Sequence, residues 1–525
     1  MQRTTRVFGL CAATLLLAFA CGAAPKEKIR QPAVAGSFYP ANPADLTKMM
    51  DGFLARVPAA AATDQRLLAL VAPHAGYEYS GPVAAYSYAL LKGRKYERVV
   101  VIAPSHYEAF PFASIYDGDA YVTPLGTVPV DKEFATKLAG KSKLLRLSSQ
   151  GHAPAGPQGE HALEDQLPWL QHMLGGFKLV PIVMGDQTYD IERTLGVELA
   201  KMIGPETLIV ASSDLSHFHT YDQASTLDHK TLNAIAEWDY LSMSRNFSQQ
   251  IWEACGGGPI VAAMIAAERL GATQAKVLKY ANTGDVTGER ARVVGYGAAA
   301  LLADVNPKAA KAPAFALTQN QKDALLQLAR RSVESAVSQR KLYDAAAPKE
   351  EALLMDRGAF VTLKKRGDLR GCIGYVSPTA PLYTTVRDVA AYAAVRDPRF
   401  PPVQASELRD LEYEVSVLSP MRRVLDVKQI EIGKHGLLVR KGGYEGVLLP
   451  QVPVEQHWNR KTFLEEICLK AGLPRGCTDD PDADLFMFTA LVFGEEKPAD
   501  ALTPPRPEFG SPKNPRPPEA GPPPQ

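Results

Sequence analysis

Three short apolar runs, each ending abruptly at a proline or a serine, place the strongest constraint on the fold of this chain. They cover residues 67–72, 99–103 and 207–211 and contain almost no polar side chains. An edge or antiparallel strand alternates polar and apolar residues, so uninterrupted runs of this length predict buried parallel strands. The sequence therefore predicts an α/β domain with a largely parallel central sheet.

Potential metal ligands follow these runs. His74 comes after the first run, His106 after the second, and Asp214 and His217 after the third. Ligands of open α/β sheets bind at the carboxyl ends of the strands. Cys255 precedes a predicted helix, whose amino terminus favours the metal-binding thiolate. We therefore predict that His74, His106 and Cys255 share one metal site.

Other interpretations of these residues stay open at this point. A single histidine after a strand is often bonded to backbone, and a lone cysteine beside glycines is often a small buried apolar residue. His217 either transfers protons or orients a metal ligand. Glu160 and Glu164 are predicted on one helix face, where they either line the pocket or cap a surface helix.

Six ordered motifs in this region resemble the Memo family, which shares its fold with class III extradiol ring-cleaving dioxygenases. The motifs are AVAGSFYP (33–40), APHAGY (72–77), PSH (104–106), EHALE (160–164), SSDLSH (212–217) and CGGGP (255–259). The resemblance implies a metal pocket of His74, His106 and Cys255, with Cys255 where the dioxygenases carry a glutamate. It implies His217 as the catalytic acid/base, with Asp214 beside it, and we predict that His217 and Asp214 are the catalytic residues that transfer protons. The expected cofactor is iron or copper, with zinc less favoured, and the expected substrate is a small molecule, with aromatic compounds among the candidates.

The length of 525 residues predicts more than one domain. We place the Memo-like domain at residues 31–304, a linker at 305–316, and a second domain at 317–496. Thr318 and Gln321 form a capping-box pattern at the start of a helix. Strand patterns at 359–363 and 372–376 flank a polar turn, and further strands and a helix over 460–470 follow. This pattern predicts a separate α+β domain.

The second domain resembles the AMMECR family. The motifs are LRGCIG (369–374), DPRF (397–400), EYEVSVLSP (412–420), LPQ (449–451) and KAGLP (470–474). Its candidate site residues are Cys372, Arg370 and Arg399. Cys372 is either an activated nucleophile or a packed strand cysteine, and Arg399 either binds an anion or forms a structural ion pair.

The fusion resembles two components of the AmmeMemoRadiSam system. That resemblance implies a radical S-adenosylmethionine (SAM) protein as a partner. The chain itself has no Cys-x3-Cys-x2-Cys motif, so we expect no iron–sulfur cluster in it.

The amino terminus predicts export. Residues 1–20 have the pattern of a signal peptide, and Cys21 allows the alternative of a lipoprotein signal with a lipid anchor. The expected location is the periplasm, free or membrane-anchored, where Cys468 and Cys477 are able to pair. Residues 497–525 are rich in proline and predicted to be disordered.

Charge and motifs leave three hypotheses about function. The 58 basic and 57 acidic residues provide no net field for nucleic acid, so we expect no nucleic-acid partner. The leading hypothesis is an exported metal-dependent oxidoreductase related to extradiol dioxygenases. One alternative is a non-catalytic protein that binds iron or copper or serves as an adaptor, and another is a zinc hydrolase. The sequence therefore leaves open whether the protein is an enzyme.

Overall fold

The computed structural model describes residues 27–58, 65–153, 159–304 and 315–495. The predicted signal segment, Cys21, residues 305–314 of the predicted linker and the proline-rich tail lie outside the described residues. Within these four ranges, no helix is both long and apolar enough to cross a membrane.

The first domain alternates strands and helices. Its strands are β1 (Ile29–Arg30), β2 (Arg66–Ala72), β3 (Arg98–Pro104), β4 (Ala113–Tyr116), β5 (Ala120–Thr123), β6 (Gly126–Pro129), β7 (Leu145–Ser148), β8 (Lys178–Met184), β9 (Thr207–Ser212), β10 (His217–His219), β11 (Gln274–Asn282) and β12 (Val293–Ala303). Its helices are α1 (Pro43–Leu54), α2 (Tyr77–Ala89), α3 (Lys132–Ala139), α4 (Gln166–Leu174), α5 (Tyr189–Met202), α6 (Tyr221–Ala236), α7 (Tyr240–Ser248), α8 (Gly257–Arg269) and α9 (Thr283–Thr287).

The central sheet of this domain is mixed. Its order is β10-β12-β2-β9-β3-β8-β4-β7, and β11 also pairs with β12. The four central strands β2, β9, β3 and β8 are parallel, which includes all three runs predicted as parallel strands. On either side, β12 pairs antiparallel with β2, and β4 pairs antiparallel with β8. The prediction of a largely parallel sheet therefore holds only for its centre, because antiparallel strands flank it on both sides.

Helices cover both faces of the central strands. One apolar cluster contains side chains of α1, α2 and α4, and another contains side chains of α3, α5, α7 and α8. Val99 and Val101 face the first cluster, whereas Val100 and Ile102 face the second. Because both faces are buried, the strands carry no polar alternation.

The second domain is α+β, as predicted. Its strands are β13 (Ala359–Lys365), β14 (Asp368–Tyr375), β15 (Leu411–Leu418), β16 (Arg422–Arg423), β17 (His435–Lys441), β18 (Tyr444–Leu448) and β19 (Asp484–Gly494). Its helices are α10 (Gln319–Gln339), α11 (Glu351–Leu354), α12 (Leu382–Val395), α13 (Val452–Glu455) and α14 (Arg460–Lys470), with 3-10 helices at Ala405–Asp410, Val427–Gln429 and Cys477–Asp479.

The local predictions for this domain are confirmed. Thr318 and Gln321 form the capping box of α10. Strands β13 and β14 form the predicted hairpin within a sheet ordered β14-β13-β15-β19-β17-β18, whose described pairings are all antiparallel. Cys468 and Cys477 are joined by a disulfide.

The two domains contact each other through a buried acid. Asp484, at the start of β19, accepts hydrogen bonds from Tyr189 and Arg193 of α5 and from Arg269 of α8. Beside it, the ring of Phe486 meets that of Tyr240 in the first domain at 6.0 Å between centroids. Polar and apolar contacts therefore both fix the orientation of the domains.

Candidate metal centre

The structure brings the three predicted metal ligands together. His74 lies two residues beyond β2, His106 two residues beyond β3, and Cys255 just before α8. The Nε2 atom of His74 is 3.2 Å from the Sγ atom of Cys255, and the His74 and His106 rings are 5.2 Å apart. One donor atom from each of the three residues lies within 4.8 Å of the others. Nitrogen and sulfur donors bind metal ions such as zinc at roughly 2.0–2.3 Å. Small side-chain shifts would therefore bring all three donor atoms into contact with one metal ion.

A close backbone approach puts Cys255 into this group. Gly256 lies against the end of β9, where a Cβ atom on it would be 2.1 Å from the carbonyl oxygen of Ser212. Only glycine permits that contact. The Gly-rich segment before α8 therefore lets the cysteine reach the carboxyl ends of the parallel strands.

A hydrogen-bonding partner at Nδ1 orients the ring of each histidine. The Nδ1 atom of His74 is 2.8 Å from the hydroxyl of Ser212, and Nδ1 of His106 is 3.1 Å from Oε1 of Glu160. Both contacts use Nδ1, so the nitrogen that each ring can offer to a metal is Nε2, which in His74 lies 3.2 Å from the Cys255 sulfur. Partners of this kind usually orient metal-binding histidines. The donor set and its outer contacts therefore fit a metal ion.

Burial and neighbouring groups give the histidines of this site different pKa values. Burial, together with the nearby rings of His106 and His161, holds the pKa of His74 well below its ordinary value. Burial also lowers the pKa of His161, to about 4. For His106, burial is outweighed by the hydrogen bond and the charge of Glu160, so its pKa is raised. His74 is thus already in the neutral form that binds metal.

The expected thiolate at Cys255 is not the form that the surroundings of this side chain favour. Burial raises the pKa of the Cys255 thiol, and the carboxylate of Asp214 raises it further. The backbone N–H of Asp214 donates to Sγ at 3.2 Å, but this bond and the helix terminus do not offset the loss of water. The prediction that the helix amino terminus favours the thiolate is therefore wrong, and a metal that binds Cys255 has to displace the thiol proton.

His217 and Asp214 lie beside the three ligands. The Nδ1 atom of His217 is 2.9 Å from the carbonyl oxygen of Leu215, so Nδ1 carries the proton and Nε2 is left to accept one. The carboxylate of Asp214 accepts from the backbone N–H of His74 at 2.9 Å. Its other oxygen is 3.9 Å from Nε2 of His74. Asp214 therefore holds two of the candidate ligands in place, His74 through its carboxylate and Cys255 through its backbone N–H.

The segment from Glu160 to Glu164 is a turn before α4, not the predicted helix. Glu160 points to His106, whereas Glu164 forms a buried ion pair with Arg30. The ring of His161 stacks on that of His106, with 4.8 Å between centroids. His106, Glu160 and His161 also form a second group of closely spaced potential ligands.

One contributor was missed from the sequence. Gln187 follows β8, the fourth central strand, and its amide donates to the carbonyl oxygen of Cys255 at 2.8 Å while accepting from Gly258 at 2.6 Å. The apolar run over 179–184, which ends at a glycine, was the available signal.

The candidate residues of the second domain lie apart from this centre and are held by structural contacts. Arg370 pairs with Glu407 at 3.0 Å rather than with the Cys372 thiol. Arg399 pairs with Asp397 at 2.7 Å and donates to the carbonyl oxygen of Cys372. The Cys372 thiol, half-buried in β14, accepts from the hydroxyl of Thr362 at 3.3 Å. These contacts favour the structural interpretation of all three candidates.

Comparison with known proteins finds two family models that match successive parts of the chain. The family model described as Memo-like protein matches residues 30–300, and the AMMECR1 model matches residues 326–493. A MEMO1 family protein of Aeropyrum pernix is 39% identical over 283 residues, which cover 52% of this chain and 99% of that protein. A MEMO1 family protein of Methanopyrus kandleri is 36% identical over 280 residues, covering 51% of this chain and 97% of that protein.

A solved structure of an uncharacterized protein from Pyrococcus horikoshii is 41% identical in sequence and covers 35% of this chain and 96% of that chain, with a TM-score of 0.33. The match to residues 30–300 includes every residue of the candidate metal centre. The chain therefore belongs to the Memo family and carries an AMMECR1 domain after its Memo domain.

Proposed function

We propose that the first domain is a metal-dependent oxidoreductase acting on a small aromatic diol, with iron or copper held by His74, His106 and Cys255. The observation that carries this proposal is the convergence of two imidazole nitrogens and one sulfur at the carboxyl ends of parallel strands. A redox-active ion bound there supplies the chemistry that activates dioxygen.

The protein supplies the proton transfer. Nε2 of His217 accepts a hydroxyl proton from the substrate, because Nδ1 is already committed to the carbonyl oxygen of Leu215. The same nitrogen returns the proton later in the reaction. Asp214 acts as a positioning residue, since its carboxylate holds the backbone of His74.

Metal analysis tests the site. The full chain is purified without oxygen, and its iron, copper and zinc are measured beside the Cys255→Ala and Cys372→Ala variants. Cys372 is the matched control because it is the other free cysteine among the described residues. We expect one metal per chain in the wild type and in Cys372→Ala, and a loss in Cys255→Ala. Equal metal in all three proteins would overturn the site.

Oxygen uptake with a panel of catechols tests the activity. We expect substrate-dependent uptake, and a fall of about 100- to 10,000-fold in kcat for His217→Ala with the metal content unchanged. A variant that loses metal as well as rate would assign His217 to metal binding instead. Bound metal without uptake for any catechol would overturn the proposed oxidation of a diol.

The second candidate function is metal binding without turnover. It is favoured by the sulfur ligand, because Cys255 stands where the extradiol enzymes carry a carboxylate, and sulfur changes the redox behaviour of a metal and is itself oxidisable. Stoichiometric iron or copper with no oxygen uptake is the result expected from this function. Stoichiometric zinc would instead favour a zinc hydrolase.

Export and a radical SAM partner belong to the same proposal. The disulfide between Cys468 and Cys477 supports an oxidising compartment. Mass spectrometry of the mature amino terminus tests export, and an intact Met1 would contradict it. The partner is tested by co-purification of a tagged chain with the radical SAM protein of its own cell, and recovery no greater than with an untagged chain would reject it.

A further inference from the structure

The second domain contacts the loop that carries Cys255. This loop, residues 249–256, consists of turns and bends between α7 and α8. A loop lacks the repeating backbone hydrogen bonds of a helix or strand, so its individual contacts determine where its side chains lie. The contacts between this loop and the second domain therefore bear on the position of the candidate metal ligand Cys255.

One of these contacts joins Trp252 of the loop to Asp356 of the second domain. The indole Nε1–H of Trp252 donates to Oδ2 of Asp356 at 2.9 Å, and Nζ of Lys230 on α6 lies 3.1 Å from the same oxygen. Trp252 is 4% exposed and Asp356 is 6% exposed, so water does not readily replace these partners. A hydrogen bond to a charged group is also stronger than one between neutral groups. The Asp356 carboxylate therefore fixes the indole three residues before Cys255.

A second contact holds the start of the loop. Asn246, a buried residue of α7, donates from its side-chain amide to the carbonyl oxygen of Pro378 in the second domain at 3.1 Å. The backbone carbonyl oxygen of Asn246 accepts from the N–H of Ile251 at 2.9 Å and from the N–H of Trp252 at 3.3 Å. The loop is therefore also bonded to a residue that the second domain holds in place.

The bonds between the loop and the neighbouring strand end hold Cys255 only in part. The backbone N–H of Cys255 donates to the carbonyl oxygen of Asp214 at 3.3 Å, which is longer than the usual range of about 2.7–3.2 Å. The next N–H, that of Gly256, donates to the hydroxyl of Ser213 at 3.0 Å. Because the bond of Cys255 itself is long, the anchoring of Trp252 contributes to the position of the sulfur.

We infer that Asp356 of the second domain is a positioning residue of the metal centre, which keeps the Cys255 sulfur beside His74 by holding Trp252. The second domain is then a structural part of the centre and not an independent module. The part of this inference that concerns metal affinity rests on the proposed function, whereas the part that concerns the position of Cys255 does not.

Thiol labelling tests the position of Cys255. The full chain is treated with a chelator and then with iodoacetamide, and the labelled cysteines are identified by peptide mass spectrometry. Cys372 on β14 is the internal reference, because it is the other free cysteine among the described residues. We expect Asp356→Ala to raise the labelling rate of Cys255 by at least about tenfold and to leave that of Cys372 unchanged, since a released loop exposes its thiol more often. An unchanged rate at Cys255 would overturn the inference.

A milder variant tests the route through Trp252. Trp252→Phe removes the indole N–H but keeps an aromatic ring in the loop. We expect it to accelerate the labelling of Cys255 as well, and we expect the double variant to be no faster than Asp356→Ala, because both changes remove the same hydrogen bond. Additive effects of the two changes would show that the residues act independently, which contradicts the inference.

Asp484→Ala is the matched control for a general loosening of the domains. Asp484 is 2% exposed and joins the domains through Arg193 and Arg269, which lie on α5 and α8 and not in the loop. We expect this variant to lower the thermal stability of the chain, as Asp356→Ala does, but to leave the labelling of Cys255 unchanged. Equal acceleration in the two variants would reject a specific role of Asp356.

Metal affinity tests the part that rests on the proposed function. We expect Asp356→Ala to weaken the binding of cobalt(II) by about tenfold in a chelator competition, and Asp484→Ala to leave it unchanged. Unchanged affinity in Asp356→Ala would refute its role in the metal centre. A wild type that binds no metal would reject the proposed function, whereas the labelling rates would still decide whether Asp356 positions Cys255.

Discussion

Replacing Glu164 by glutamine tests how much a buried carboxylate contributes to the free energy of unfolding of the first domain. The Glu164 side chain is 0% exposed and forms an ion pair with Arg30, which is 3% exposed. It also accepts from the backbone N–H groups of Ala33 and Val34 and from the hydroxyl of Tyr39. Both carboxylate oxygens are therefore fully used.

The expected cost follows from these contacts. Removing one partner of a buried ion pair leaves the other charge uncompensated and costs about 3–5 kcal/mol. The glutamine amide also turns one acceptor into a donor that faces other donors, and each lost hydrogen bond costs about 0.5–1.5 kcal/mol. Energies within one network do not add, so we expect about 4 kcal/mol in total. That corresponds to about a thousandfold change in the unfolding equilibrium constant.

Urea unfolding followed by tryptophan fluorescence measures this cost. The matched control is Glu133→Gln, which makes the same chemical change in an exposed pair with Lys137 on α3. We expect Glu164→Gln to lower the midpoint of the first domain's transition at an unchanged slope, and Glu133→Gln to leave it where it is. Equal shifts in the two variants would refute the argument that burial determines the cost.

Three further predictions concern single groups. Glu160→Gln should weaken metal binding by about 10- to 100-fold in a chelator competition, because the charge that orients His106 is lost. Burial raises the pKa of Glu192 to about 8, so the folded state holds a proton that the unfolded state releases above its usual pKa of 4.5. Stability should therefore fall by about 1.4 kcal/mol per pH unit between these values, and Glu192→Gln should remove that slope. Breaking the disulfide by replacing Cys468 and Cys477 with serine should cost about 2–3 kcal/mol, measured by urea unfolding of the second domain.

Each of these predictions has a control within the same chain. Glu133→Gln should leave metal affinity unchanged, and equal weakening in both glutamate variants would contradict the orienting role of Glu160. A stability profile with the same slope in the wild type and in Glu192→Gln would assign the pH dependence to other groups. Dithiothreitol should lower the stability of the wild type in urea but not that of the double serine variant. A wild type whose stability is also unchanged by dithiothreitol would show that the disulfide contributes nothing.

The sequence determined the central strands and the local hairpins. Strands β2, β3 and β9 appear as uninterrupted apolar runs because helices cover both of their faces, and burial of a face is a property that side chains record locally. The capping box at Thr318 and the hairpin of β13 and β14 could also be predicted, because both depend on residues that are close together in the sequence. His74 and His106 could be placed at one sheet edge because parallel strands end on the same side.

The tertiary structure alone decided how these pieces meet. An apolar run shows that a strand is buried but not which strand lies beside it, so the antiparallel β12 and β4 could not be foreseen. Glu160 and Glu164 fit a helical spacing, yet their contacts with His106 and Arg30 hold them in a turn. The proton on the Cys255 thiol depends on desolvation by segments distant in sequence. Side-chain identity fixes what a residue is able to bind, whereas burial and partners, which only the folded chain supplies, fix its charge and its neighbours.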